Sequence, residues 1–177
     1  MSNEIIMQAQ TAAPLKKDND RHKLIAAGRA FAQHYKHHLS AGERAILRRA
    51  DIISTCSTFW TCLKQAEVQW QQATEPRNVR IFELLISSNM LDDASLSDNM
   101  GSVGSFMNGN KAIKGRRIES MLTAQTRETA VDEFSRLISI TRSNKGAAPK
   151  VDFGVLLNDL IYFGDRVRRS WAADCFN

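Results

Sequence analysis

Cysteine, long apolar runs and recognisable catalytic motifs are all scarce in this sequence, and each scarcity removes a class of explanation. Only three cysteines occur, Cys56, Cys62 and Cys175. Their number is odd and no pair has CxxC spacing, so they are read as reduced, structural thiols rather than a disulfide framework or zinc knuckle. No stretch of about 18 apolar residues is present that would span a bilayer. The opening residues, MSNEIIMQAQTAAPLKKDND, lack the charged-then-apolar order of a signal peptide. A cytoplasmic location is therefore expected. No window gives a convincing strand-like alternation of polar and apolar residues.

The chemistry of a reaction centre is equally sparse. His34, His37 and His38 lie close enough on a helix for two of them to share an ion. The third ligand and general base of an HExxH-type site are missing, so they are read as exposed helix histidines. Gly101, Gly104 and Gly109 lack the following Lys-Ser/Thr and the preceding strand of a phosphate-cradling loop. They are read as a flexible connection or tight helix packing. There is no GxSxG, and Asp92 and Asp93 sit in a stretch without basic neighbours. No catalytic residue, metal or cofactor is assigned, and the expected protein is not an enzyme.

What is present is positive charge, unevenly placed. The net charge is +5 over 177 residues. Residues 1–50 carry nine Lys/Arg against four Asp/Glu, residues 51–110 three against seven, and residues 111–177 twelve against eight. Such segregation points to a polyanion for some faces and a protein partner for others.

Apolar spacing predicts an all-α fold of two small helical-bundle lobes joined by a Gly/Ser/Asp-rich connection. Residues 1–19 are expected to be a disordered tail. An N-terminal lobe, 20–90, starts with Leu24, Ala27, Phe31 and Tyr35 at helical spacing. Ser40 and Glu43 form a capping box for a helix over 41–50. A helical stretch with Phe59, Trp60, Leu63 and Trp70 follows, and Pro76 opens another through Ile86. Residues 91–110 are a connecting loop with room for a short helix around Val103 to Met107. The C-terminal lobe, 111–177, is expected to hold helices over 111–124, after Thr126, after Asp152 and after Asp165, the last three residues acting as caps. The tryptophans Trp60, Trp70 and Trp171 fall among apolar neighbours and are assigned to the core.

Three arginine-rich clusters are candidate phosphate contacts, because a guanidinium fork fits phosphate oxygens and stays charged at biological pH. They are Arg44, Arg48 and Arg49; Lys111, Lys114, Arg116 and Arg117; and Arg166, Arg168 and Arg169. Arg127, Arg136, Arg142 and Lys145 are weaker candidates, and some arginines could instead fix helices against one another.

The order of these motifs resembles a known family. Gly42-Glu43-Arg44-Ala45 through Leu47-Arg48-Arg49-Ala50, then Arg116-Arg117-Ile118 with Leu122, then Phe134 and Leu137 follow its pattern. So do Val151-Asp152-Phe153 with Leu156-Leu157 and Asp159-Leu160, and the closing stretch Arg168 to Ala172 with Phe176. They are similar to the CasB family, the small subunit of the type I-E CRISPR surveillance complex Cascade, over roughly residues 22–177. Tyr162-Phe163, where members often have tryptophan, and the long connection Ser143–Lys150 depart from the pattern. The resemblance implies a non-catalytic, two-lobed helical protein in an RNA-guided complex. Its partners would be the backbone subunits, the large subunit, a second copy of itself, CRISPR RNA, and the target and displaced DNA strands. The acidic stretch 83–110 would face protein partners or solvent. The alternatives are a stand-alone helix-turn-helix DNA-binding regulator, a metal-dependent hydrolase centred on the histidines, and a protein-only scaffold.

Overall fold

A computed structural model of the chain describes residues 12–50, 56–65, 76–87, 91, 96–97, 101–142 and 150–177, with backbone alone at 12–20, 76–77, 96–97 and 142. Nine helices occur among the described residues: α1 (Ala12–His37), α2 (Ala41–Arg49), α3 (Ser57–Gln65), α4 (Pro76–Ser87), α5 (Val103–Gly109), α6 (Gly115–Leu122), α7 (Arg127–Arg142), α8 (Phe153–Ile161) and α9 (Asp165–Phe176). The fold is all-α. One parallel pairing of two-residue strands, β1 (Leu96–Ser97) with β2 (Val151–Asp152), is too short to have left a periodic signal. Among the described residues no helix is long and apolar enough to cross a membrane.

Local chemistry sets most of the helix starts. Ser40 accepts from the Glu43 backbone N–H at 3.2 Å while the Glu43 carboxylate accepts from the Ser40 N–H at 2.8 Å, so the capping box forms. Thr126 and Asp152 accept from Thr129 and Val155 N–H groups and start α7 and α8. Pro76 is the first residue of α4, where its missing N–H costs nothing. Three boundaries differ from expectation. α1 begins at Ala12, inside the stretch read as tail, with Pro14 in its first turn. α6 begins at Gly115 rather than 111, because the Asn110 side chain and carbonyl accept from Ala112 and Ile113 N–H groups and hold the chain in turns. Asp165 is the first residue of α9 and not its cap; Gly164 is the N-cap, without a side-chain bond.

The buried apolar side chains form one contiguous cluster. Phe31 of α1 lies at its centre, with ring centroids 4.9 Å from Phe82 of α4, 6.1 Å from Phe59 of α3 and 6.4 Å from Phe153 of α8. Phe106 of α5 meets Phe134 of α7 edge to face at 5.6 Å. α1 packs against α8, and α5 against α9. Both crossings are narrow because glycine stands at the contact: Gly28 and Gly154 in the first, Gly104 facing Trp171 and Asp174 in the second. Gly104 thus serves tight helix packing. Trp171 is fully buried, whereas Trp60 is 37% exposed and so lies at the margin of the core. Trp70 lies outside the described residues.

Two buried polar arrangements accompany this core. All three cysteines are free thiols; burial, then the charge of Glu43, pushes Cys62 up to about 12, and burial raises Cys175. Asp159 is buried and accepts from the Trp171 indole N–H at 2.8 Å and from Asn158 at 3.3 Å. Burial raises its pKa; the two hydrogen bonds and the charge of Arg21 pull it down, and Asp174 pushes it up. A carboxyl held above its unfolded value contributes stability that is present below that value and lost as pH rises through the folded one. Asp159→Asn keeps an acceptor for Trp171 and removes the buried charge. Its melting temperature at pH 7 is therefore expected to equal or exceed wild type, with the difference shrinking as pH falls toward 4. A variant clearly less stable at pH 7 would show that the carboxylate is needed as an anion.

Candidate nucleic-acid interface

The three basic clusters turn out to hold two kinds of cation. On α2, Arg44 is half-buried and its Nη1 donates to the Lys36 and Leu39 carbonyls, both at 3.1 Å. The first is an orphan carbonyl in the last turn of α1 and the second lies in the turn before α2, so Arg44 closes the α1–α2 corner. Arg48 is half-buried and Arg49 is exposed at the C-terminal end of α2, where the macrodipole favours a cation.

On α9, Arg168 is likewise a strut. Its Nη1 donates to the Ala124 carbonyl at 3.2 Å, across the α6–α7 junction, and its Nη2 pairs with Asp165. Arg166 and Arg169 are exposed and, among the described residues, have no acidic partner.

The cluster before and within α6 is different. Lys111, Lys114, Arg116 and Arg117 are all exposed, and none has a hydrogen-bonding or ionic side-chain partner among the described residues. Lys114 is the N-cap of α6, and the first turn contains no acid. Cations there oppose the helix dipole, at a cost of a few tenths of a kcal/mol each. All four cations are thus exposed at a helix start that offers them no acidic counter-charge. α6 also packs on α9, and Arg168 near the start of α9 reaches the carbonyl of Ala124 just beyond the far end of α6.

The weaker candidates divide as well. Arg136 is exposed but pairs with Glu133; Arg127 is half-buried, with a buried Nη1 that has no hydrogen-bond partner. The Arg142 side chain and Lys145 lie outside the described residues, as do Asp92, Asp93 and Asp98 of the acidic stretch. His34 and His38 stack at 5.0 Å, but no group of three His, Cys, Asp or Glu among the described residues is arranged to hold a metal. Tyr162 at 53% and Phe176 at 72% are exposed aromatics that the sequence placed in or beside the family motifs but did not assign to the interface. For Phe176 the signal was a position one residue off the Val167, Trp171 and Cys175 phase of α9; Tyr162 follows the last residue of α8.

The family model for CRISPR-associated protein Cse2 matches residues 43–176, some three quarters of the chain. The chain belongs to the Cse2 family. This is the small-subunit family, CasB, that the motif order resembles. The fold is also similar to a chain of the E. coli Cascade complex solved bound to a PAM-containing double-stranded DNA target. That likeness has a TM-score of 0.61 and 17% identity, covering 84% of this chain and 95% of that one. No curated protein matches it in sequence. The family's matched residues run from the capping box of α2 to the end of α9 and so include every cation assigned above.

Proposed function

We propose that the chain is the non-catalytic small subunit of a type I-E Cascade complex in the cytoplasm. In this reading it grips nucleic acid backbone without reading sequence, and its partners are the backbone and large subunits and a second copy of itself. The observation that carries the nucleic-acid role is the unpartnered group Lys111, Lys114, Arg116 and Arg117 on a member of the Cse2 family. Exchanging a DNA duplex for an RNA–DNA hybrid is nearly balanced, so cations on target or displaced strand can tip it. Sequence discrimination is left to the guide, as suits contacts confined to phosphate. The six exposed cations before and within α6 and on α9, with Arg49, are the phosphate contacts; Arg44 and Arg168 support them by fixing helix ends. In the same reading the acidic residues of the stretch 83–110 serve protein partners or solvent.

Fluorescence anisotropy with labelled DNA across a salt series tests this directly. Replacing Lys111, Lys114, Arg116 and Arg117 together with alanine should lower the slope of log affinity against log salt by about 3, at 0.7 to 0.9 per lost contact. Arg44→Ala and Arg168→Ala should instead lower the melting temperature and leave that slope almost unchanged. An unchanged slope in the fourfold variant would reject the α6 assignment. Absence of any DNA affinity at low salt would favour a scaffold whose arginines serve acidic protein partners.

A further inference from the structure

We propose that the outer face of α9, with Tyr162 before it, binds single-stranded nucleic acid by stacking bases on its aromatics, not by phosphate contacts alone. This deepens the phosphate-gripping reading above and rests on it. Arg166, Arg169, Ala173 and Phe176 are all exposed and fall at i, i+3, i+7 and i+10, so they lie along one stripe. The stripe is about 15 Å long at 1.5 Å per residue, room for a few nucleotides.

Its charge is one-sided. Both carboxylates of α9 are already engaged, Asp165 by Arg168 and Asp174 by the Ser102 hydroxyl. Arg166 and Arg169 have no such partner among the described residues. The aromatics bracket them: Tyr162 in the turn before α9 and Phe176 at its last residue. The inner face is already made by the buried side chains of Val167, Trp171 and Cys175, so Phe176 is not a displaced core residue. Cations flanked by exposed rings suit a sequence-tolerant single-strand binder, in which phosphates meet the cations and unstacked bases meet the rings. A duplex keeps its bases stacked inside and could use only the cations.

An oligothymidylate of about 20 nucleotides, compared with an abasic strand carrying the same number of phosphates, separates the two contributions. The full-length chain is expected to prefer the oligothymidylate by roughly five- to a hundred-fold per stacked base. Phe176→Ala and Tyr162→Ala should each remove much of that preference without altering the salt slope, while Tyr162→Phe keeps it. Arg166→Ala with Arg169→Ala should lower the slope by about 1.4, the single-strand value for two contacts, and leave the preference intact. Equal affinity for the two strands, or a preference indifferent to both alanine variants, would overturn the stacking proposal alone and assign the rings to a protein partner. Failure of both strands to bind at low salt would overturn the phosphate-gripping reading as well. All four side chains are exposed, so the variants should fold, which a melting curve checks.

Discussion

Gly154→Ala is expected to lower stability by about 3–5 kcal/mol and the melting temperature by about 10 °C. An ideal Cβ built on Gly154 would lie 2.1 Å from the Ile25 carbonyl oxygen and 2.9 Å from its carbon, both backbone atoms of α1. A flexible side chain could swing away from such a clash; a helix backbone cannot. Relief requires α1 and α8 to separate, and that would loosen Leu24 and Phe31, which are buried beside the crossing. The Gly28 side is nearly as tight, since a Cβ there would lie 2.8 Å from the Gly154 Cα. Small-to-large changes in a packed core commonly cost about 1–3 kcal/mol, and a fixed obstacle puts this one at the upper end or beyond. Gly115→Ala is the control: nothing lies within 4 Å of its Cβ, and it opens α6. It should be neutral or slightly stabilising, because alanine restricts the unfolded chain. Urea denaturation followed by circular dichroism measures both. A Gly154→Ala protein that melts with wild type would mean that α1 does not sit on α8 at this distance.

Helical periodicity makes most of this architecture legible in the sequence alone. The spacing of Phe82, Leu85 and Ile86, of Phe134, Leu137 and Ile138, and of Leu156 and Leu160 reports one buried face each, and those side chains are buried. The caps at Ser40, Thr126 and Asp152 were readable because the donor lies three residues from the acceptor, within one sequence window. Features that depend on distant partners were not. Nothing in the run Arg166 to Arg169 separates a strut from a free cation; the distinction is made by a carbonyl 44 residues away. Arg44 looked like its neighbours for the same reason, although its acceptors lie in the last turn of α1 and in the turn that follows it. The Gly28–Gly154 crossing was invisible because a helix-interior glycine reads locally as a weak helix former, not as a point of approach. The α6 boundary moved because Asn110 offers the backbone a competing hydrogen bond that apolar spacing cannot register.

The family motif around Asp152 acquires a physical reason in the structure, and with it the second large prediction. Asp152 has a side chain only 2% exposed and holds two elements at once. One carboxylate oxygen accepts from the Val155 N–H at 3.0 Å and starts α8; the other accepts from Arg29 of α1, at 2.8 Å from Nε and 2.7 Å from Nη2. Asp152→Ala removes an N-cap, about 1 kcal/mol, and a charge-assisted pair of about 1.5–3 kcal/mol. The Arg29 side chain is 41% exposed, so water screens the pair and can rehydrate the cation when its partner goes. A total of about 2–4 kcal/mol follows from these contributions. Arg29→Ala should cost a comparable amount by a different route, since it strands a buried carboxylate. The double variant should then cost less than the sum of the two, with a coupling of about 1–2 kcal/mol. Asp152→Asn, which keeps the cap oxygen and loses the charge, should fall between wild type and Asp152→Ala. Additive single costs in urea denaturation would remove the pair as a link between the helices. Residue 29 precedes the Cse2 match and residue 152 lies inside it, so the coupling also measures how firmly α1 is built into the family's fold.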